Sequence, residues 1–194
     1  MAENHAIRRV KKSKVEDNKD FYQTPSEATE ALLQIIKKLG LDPKSTVLDP
    51  CCGEFSIYRR LCYYFINVKY FDLNFTMHRQ NFLTHKKKYD IIIMNPPYGK
   101  LKYKFINHAR KIAKHVFVFL PMQIVNYLDF HDNYMDIPEF VGKIKMTPKI
   151  FLHEGKELRP GGMSSYSWFY YNSENNYPAS IEWYKNLKEV ELRI

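Results

Sequence analysis

The chain has 194 residues, 45% of them hydrophobic, with 30 Lys plus Arg against 21 Asp plus Glu, a formal net charge of +9. That length suits one domain with its own buried core, and three cysteines do not make a disulfide framework. The seven Gly and ten Pro follow no period and no apolar run is long enough to span a bilayer, which excludes collagen-like, mucin-like, coiled-coil, wholly disordered and membrane-spanning classes.

The excess of positive charge points to a polyanionic partner, most often nucleic acid; the plain alternative is a solvated basic surface. Aromatic residues make up 15% of the chain and serve either as stacking platforms for bases or as core. The basic start has no apolar stretch after it and does not read as a secretory signal, so a reducing cytoplasm is expected and a membrane is not.

Residues 1–19 read as a flexible basic arm, either solubilising or contacting phosphates, and residues 20–194 as one domain. Thr24-Pro25-Ser26-Glu27 predicts a helix start, capped by Thr24 or Ser26. Ala28, Leu32, Leu33, Ile35, Ile36 and Leu39 give that helix a buried face, and Gly40 closes it. Residues 46–50 predict a short buried strand, 51–54 a turn, 55–65 a helix and 68–73 a second strand. Residues 90–94 are almost wholly apolar, which suits a strand covered on both faces. A helix over 102–114 and a buried strand over 115–120 follow. Beyond Pro121, residues 140–152 and 166–171 predict an antiparallel pair at one sheet edge, and 178–191 a last helix. Alternating strands and helices predict an α/β fold with a mostly parallel sheet, helices on both faces and an antiparallel C-terminal edge.

In open α/β sheets ligands bind at the carboxyl ends of the strands, and four candidate segments fall there. Asp49 puts a carboxylate at the tip of the first strand, and Gly53 lets the following turn approach a ligand; a plain strand-to-helix turn is the alternative. Cys51 and Cys52 suit packing better than nucleophilic or zinc chemistry, since no second Cys/His cluster completes a metal site. Asp72 ends the second strand about 20 residues later, where an acid can accept ribose hydroxyls or simply cap a turn.

The most specific segment is Asn95-Pro96-Pro97-Tyr98, directly after the apolar strand. Two prolines fix an extended backbone and remove two N–H donors. The acceptors left are the Asn95 side-chain oxygen and the Pro96 carbonyl. Such a pair suits an amino group conjugated to a ring or an amide, whose lone pair is freed as both its hydrogens are held. Tyr98 adds a flat face for a planar substrate. The last segment, Phe21-Tyr22-Gln23-Thr24-Pro25, offers aromatics and a hydroxyl beside a helix start, or a mere helix lead-in.

Taken in this order, the segments resemble the S-adenosylmethionine-dependent DNA methyltransferases that act on the adenine N6 amino group, in particular small, phage-type members. The resemblance covers roughly residues 21–171 and implies a single Rossmann-like methyltransferase domain. It implies catalytic roles for Asn95, Pro96, Pro97 and Tyr98. It implies cofactor contacts from Tyr22, Thr24 and Pro25, from Asp49, Cys51 and Gly53, from Asp72 as ribose acid, and from Asn81 and Phe82 beside the cofactor adenine. Residues 165–169 resemble a late aromatic strand that closes the substrate pocket. The implied cofactor is S-adenosylmethionine, with no metal.

Two positions depart from the family. Phe55 stands where a second glycine is common and would crowd the methionine end of the cofactor. Asn81 replaces an aspartate, losing a charge but keeping an acceptor. Too few residues separate Gly53 from Asn95 for an inserted recognition domain. Recognition is therefore expected from the region after Pro121, the basic arm or a protein partner. Lys100, Lys102, Lys104, Lys143 and Lys145 are candidates to hold phosphates, or form a solvated face. DNA is the expected partner and the flipped-out base would stack on Tyr98. An RNA base or a protein glutamine amide as acceptor, and a non-catalytic binding subunit, are the rival readings.

Overall fold

A computed structural model describes residues 23–74, 78–135, 140–146, 152–153, 156–157, 166–175 and 180–183. The basic arm over 1–19 and Tyr22 lie outside the described residues, so the predicted arm-and-domain division is untouched by it.

Helix α1 (Ser26–Lys38) buries the predicted Ala28, Leu32, Leu33, Ile35 and Ile36, with Ala31 added, but Leu39 is 42% exposed because it lies past the last turn as the C-cap. Neither Thr24 nor Ser26 caps it. The Pro25 carbonyl takes the first N–H, from Ala28 at 3.1 Å, while Ser26 Oγ donates to Glu27. Its other end closes as predicted. Gly40 has φ +67°, its N–H donates to the Lys37 carbonyl, and Leu41 N–H reaches back to Ile36.

Strand β1 (Thr46–Asp49) leads to the short helix α2 (Ser56–Leu61), then β2 (Asn67–Tyr70), β3 (Tyr89–Met94), α3 (Leu101–Ile112) and β4 (Ala113–Pro121). Helix α2 is shorter than the predicted 55–65, because Phe55 is left-handed and residues 62–64 form turns. Strand β2 is shorter than 68–73, because Asp72 breaks away to bond with His78 and Gln80. β4 takes Ala113 and Lys114 from the predicted helix, since Ala113 pairs with Tyr89 of β3.

Beyond Pro121 come β5 (Phe140–Met146), a small ribbon of β6 (Leu152–His153) and β7 (Lys156–Glu157), β8 (Tyr166–Asn172) and β9 (Ser180–Trp183). The main sheet runs β2-β1-β3-β4-β8-β5-β9. β1 to β4 are parallel, and β8 pairs antiparallel with both β4 and β5. The predicted antiparallel pair is present, but β5 ends at Met146 rather than 152. The predicted last helix is overturned over Ser180–Trp183, which form a strand parallel to β5.

The sheet alternates strictly, as period-two side-chain geometry requires. Leu48, Ile92, Met94, Val116, Val118, Leu120, Phe169 and Tyr171 face α3. Val47, Ile91, Ile93, Phe117, Phe119, Trp168 and Tyr170 face α1 and α2. Trp168, expected near a substrate pocket, is wholly buried and donates its indole N–H to the Ala28 carbonyl at 2.8 Å. Phe169 is equally buried, edge-on to Phe130. Both are core. No described helix is long and apolar enough to cross a membrane.

Candidate active site

The parallel strands deliver their carboxyl ends to one side of the sheet, and the candidate residues stand there. Asp49 closes β1 and is fully buried. Its Oδ1 accepts the Cys51 N–H at 3.3 Å, while Oδ2 is buried without a hydrogen-bond partner among the described residues. Burial, helped by the neighbouring Asp72 charge, pushes its carboxyl up to about 7 against the pull of the Cys51 and Tyr58 N–H groups. A buried carboxylate oxygen without a donor is costly.

Asp72 stands next to it. Its Oδ2 accepts the Gly53 N–H at 3.1 Å and its Oδ1 the Asn74 N–H at 2.9 Å. Backbone bonds from Phe71 N–H to Asp49 and from Cys52 N–H to Phe71 stitch the two strand ends together. Gly53 turns the chain there with φ +45°. Each Asp72 oxygen keeps a second lone pair for a hydroxyl. Burial, then the two carboxylates, pushes both the Cys51 and the Cys52 thiol up, Cys52 to about 12, so both stay protonated and inert as nucleophiles.

Phe55 is the one non-glycine residue with positive φ, at 68°, among the described residues. Its ring is held edge-on by Tyr58 at 5.9 Å and Tyr70 at 5.1 Å. Tyr70 shares a strand face with Val68, the face packed under α1 and α2. The Phe55 ring therefore lies on that face of the sheet.

Asn95 follows β3 directly, and Asn95, Pro97 and Tyr98 are partly buried around a buried Pro96. The amide of Asn95 donates to the buried Thr24 hydroxyl at 3.1 Å across 71 residues of sequence. This bond orients the amide, so that Nδ2 faces Thr24 and the buried Oδ1 is the acceptor. Two segments that the sequence relates only by resemblance thus touch.

Asn81 and Phe82 are placed differently. Asn81 is exposed, and its Oδ1 accepts the Leu83 N–H at 3.0 Å to start a short 3-10 turn. Phe82 is 2% exposed, between Phe71 and Phe105. The sequence reading passes over His85, whose ring tilts against Phe71 at 5.0 Å behind the site. Its only signal is its place just after Asn81-Phe82. Lys100 and Lys104 are exposed at the start of α3, while Lys102 turns inward to the Gly99 carbonyl. Lys143 and Lys145 lie on β5, with backbone positions only described. Among the described residues no group of three or more His, Cys, Asp or Glu is placed to hold a metal.

Comparison with solved structures gives the sheet its relatives. A candidate RNA methyltransferase from Pyrococcus horikoshii superposes with TM-score 0.61 at 16% identity, over 79% of this chain and 87% of that one. A candidate class I S-adenosylmethionine-dependent methyltransferase from Listeria monocytogenes gives 0.62 at 14% identity, over 85% and 66%. The methyltransferase subunit of a type I restriction-modification system from Streptococcus thermophilus gives 0.59 at 16%, over 78% and 44%.

The fold is the Rossmann-like one of these methyltransferases. This chain spans less than half of the S. thermophilus subunit, and identities this low speak of fold alone. No protein-family model matches the chain, and no curated protein matches it in sequence.

Proposed function

We propose that the protein transfers a methyl group from S-adenosylmethionine to the exocyclic N6 amino group of adenine in DNA. The observation that carries this reading is the Asn95–Thr24 bond. It holds an acceptor oxygen at the strand end beside a diproline corner that has only acceptors to offer. A sheet shared with S-adenosylmethionine-dependent methyltransferases supports the cofactor.

The residues present fit that cofactor. Its ammonium or sulfonium charge answers the donor-starved Oδ2 of Asp49, and ribose hydroxyls answer Asp72. Cys51 and Gly53 donate their N–H groups to these carboxylates, and Tyr22, Thr24, Pro25, Asn81 and Phe82 complete the cofactor set we propose. The packing of the Phe55 ring against Tyr58 and Tyr70 supports a cofactor whose methionine end passes beside the ring rather than against it. The cofactor supplies a methyl group on a positively charged sulfur, so the protein need only align and accept.

Asn95 Oδ1 and the Pro96 carbonyl accept the two amino hydrogens of the target base and turn its nitrogen lone pair toward the donor. Pro97 keeps the corner rigid. Tyr98 stacks on the base, which must leave its helix to arrive there. Lys100 and Lys104 stand ready for the flanking phosphates. Because one neighbour is a subunit of a restriction-modification system, a recognition partner belongs to the same proposal.

A second acceptor, an RNA base, is favoured by the likeness to the P. horikoshii protein. Incubation with radiolabelled S-adenosylmethionine and, separately, DNA, RNA and protein decides among acceptors. Label on DNA is expected; label on RNA or on a glutamine amide would replace DNA as substrate. Full cofactor binding with no transfer to any of the three would favour a non-catalytic binding subunit.

A further inference from the structure

At the amino end of the parallel strands, opposite the candidate active site, lies a cavity of about 390 Å³. Arg110 and Lys111 enter it from the last turn of α3, Lys114 from the start of β4, Tyr171 from the end of β8 and Ser173 from the turn after it. The strand register runs from Tyr89–Ala113 at this end to Met94–Val118 at the other. Five residues at about 3.3 Å each put the cavity roughly 17 Å from the Asn95 corner.

Cations in the last turn of a helix are ordinary, because they complement its dipole. That explains Arg110 and Lys111 but not Lys114, which comes from strand β4. Nor does it explain the concavity. The Arg110 guanidinium sits 5.6 Å over the Tyr171 ring, which braces the planar fork that suits a phosphate. Three exposed lysines in a row, Lys86, Lys87 and Lys88, extend the same basic end just ahead of β3. Of the nearby acids, Glu174 pairs with Lys114 and Asp90 is taken up by Thr46. The volume falls within the roughly 300–1,000 Å³ of small-ligand pockets, enough for a nucleotide unit rather than a bare ion.

We propose that this cavity binds the phosphate of a nucleotide unit, separately from the methyl-transfer corner. The phosphate belongs either to a nucleic-acid strand that passes along the basic end or to a free nucleotide.

The test uses the full chain and its Lys111→Ala/Lys114→Ala double variant. Both side chains are exposed, and an unchanged melting temperature confirms the fold. Fluorescence anisotropy with a labelled 20-base-pair DNA duplex is read across a salt series, and titration calorimetry with adenosine monophosphate provides the second arm. Two lost phosphate contacts should raise Kd at least fivefold and flatten the slope of log K on log salt by about 1.8. Lys69→Ala, on the exposed edge of β2, should not change Kd or slope. Loss of adenosine monophosphate binding with duplex binding unchanged assigns the cavity to a free nucleotide. If the double variant binds both probes as the parent does, or the parent binds neither, the proposal is overturned.

Discussion

Asp49 is fully buried, and the pull of the Cys51 and Tyr58 N–H groups does not offset that burial, which has a pH signature. Its folded-state carboxyl lies at about 7, above the unfolded value near 4. Below pH 4 the group is protonated in both states and costs nothing. The cost grows as pH rises from about 4 to about 7 and is constant above. The ligand-free melting temperature should therefore fall between about pH 4 and about pH 7 and level off above. Asp49→Asn should flatten that profile and stabilise the free chain at pH 8 by a few kcal/mol, at about 1.4 per pKa unit. A cationic ligand reverses the sign. S-adenosylmethionine affinity should rise as pH climbs through 7 and collapse in Asp49→Asn, as calorimetry would read. Phe55 gives a second residue-scale prediction. Glycine there relieves about 1–2 kcal/mol of left-handed strain, spends about 0.5–1 on backbone entropy, and loses two edge contacts of about 1 each. Urea denaturation of Phe55→Gly should show a net loss of about 0.5–2 kcal/mol, with cofactor affinity within threefold. Tenfold tighter binding would mean that the ring does crowd the cofactor.

Between elements, β1 and β3 are clamped at their open ends. Thr46 donates its N–H and hydroxyl to Asp90 Oδ2, at 2.7 Å each, and Asp90 N–H returns to the Thr46 hydroxyl at 3.0 Å. The Thr46 bonds hold the Asp90 carboxyl below the usual range. Asp90→Ala should cost about 1 kcal/mol, because the clamp is exposed and solvent screens much of its worth. Urea denaturation at pH 7 measures it, and the loss should shrink as pH falls below the ordinary carboxyl value and through the lowered folded one. β3 itself was readable from its run of isoleucines, since only a strand covered on both faces needs one. The early helices were readable from spacing, and Gly40 from the left-handed stop it permits. β9 was not readable. Nothing local in Ser180–Trp183 demands a strand; pairing with β5, about 40 residues earlier in the chain, decides it. The same holds within the site. The residues of the acceptor corner are visible as a motif, but its bond to Thr24 is a tertiary fact. Trp168 is visible as an aromatic, yet only packing shows that it belongs to the core.

Over the whole molecule, one hydrogen bond ties the early and late chain. The Trp168 indole donates to Ala28 at the start of α1, joining residues 140 apart. It also anchors the segment that carries Thr24 to the sheet. Trp168→Phe keeps most of the buried ring but leaves the Ala28 carbonyl without that donor. A loss of about 1–2 kcal/mol is expected in thermal denaturation, and turnover should fall with it as Thr24 loosens from Asn95. The +9 charge finds two outlets on this frame, the lysines that open α3 at the acceptor corner and the basic cavity at the far end of the sheet.

The decisive measurement is mass spectrometry of nucleosides from DNA treated with the protein and S-adenosylmethionine, for the parent chain and Asn95→Ala. The parent should yield N6-methyladenine. Asn95→Ala should lower its formation about 100- to 1,000-fold while cofactor affinity stays within twofold, because in the proposed arrangement the lost acceptor serves the reacting amino group and not the cofactor. A parent chain that binds the cofactor but yields no methylated adenine, or an Asn95→Ala variant that methylates as well as its parent, would contradict the account.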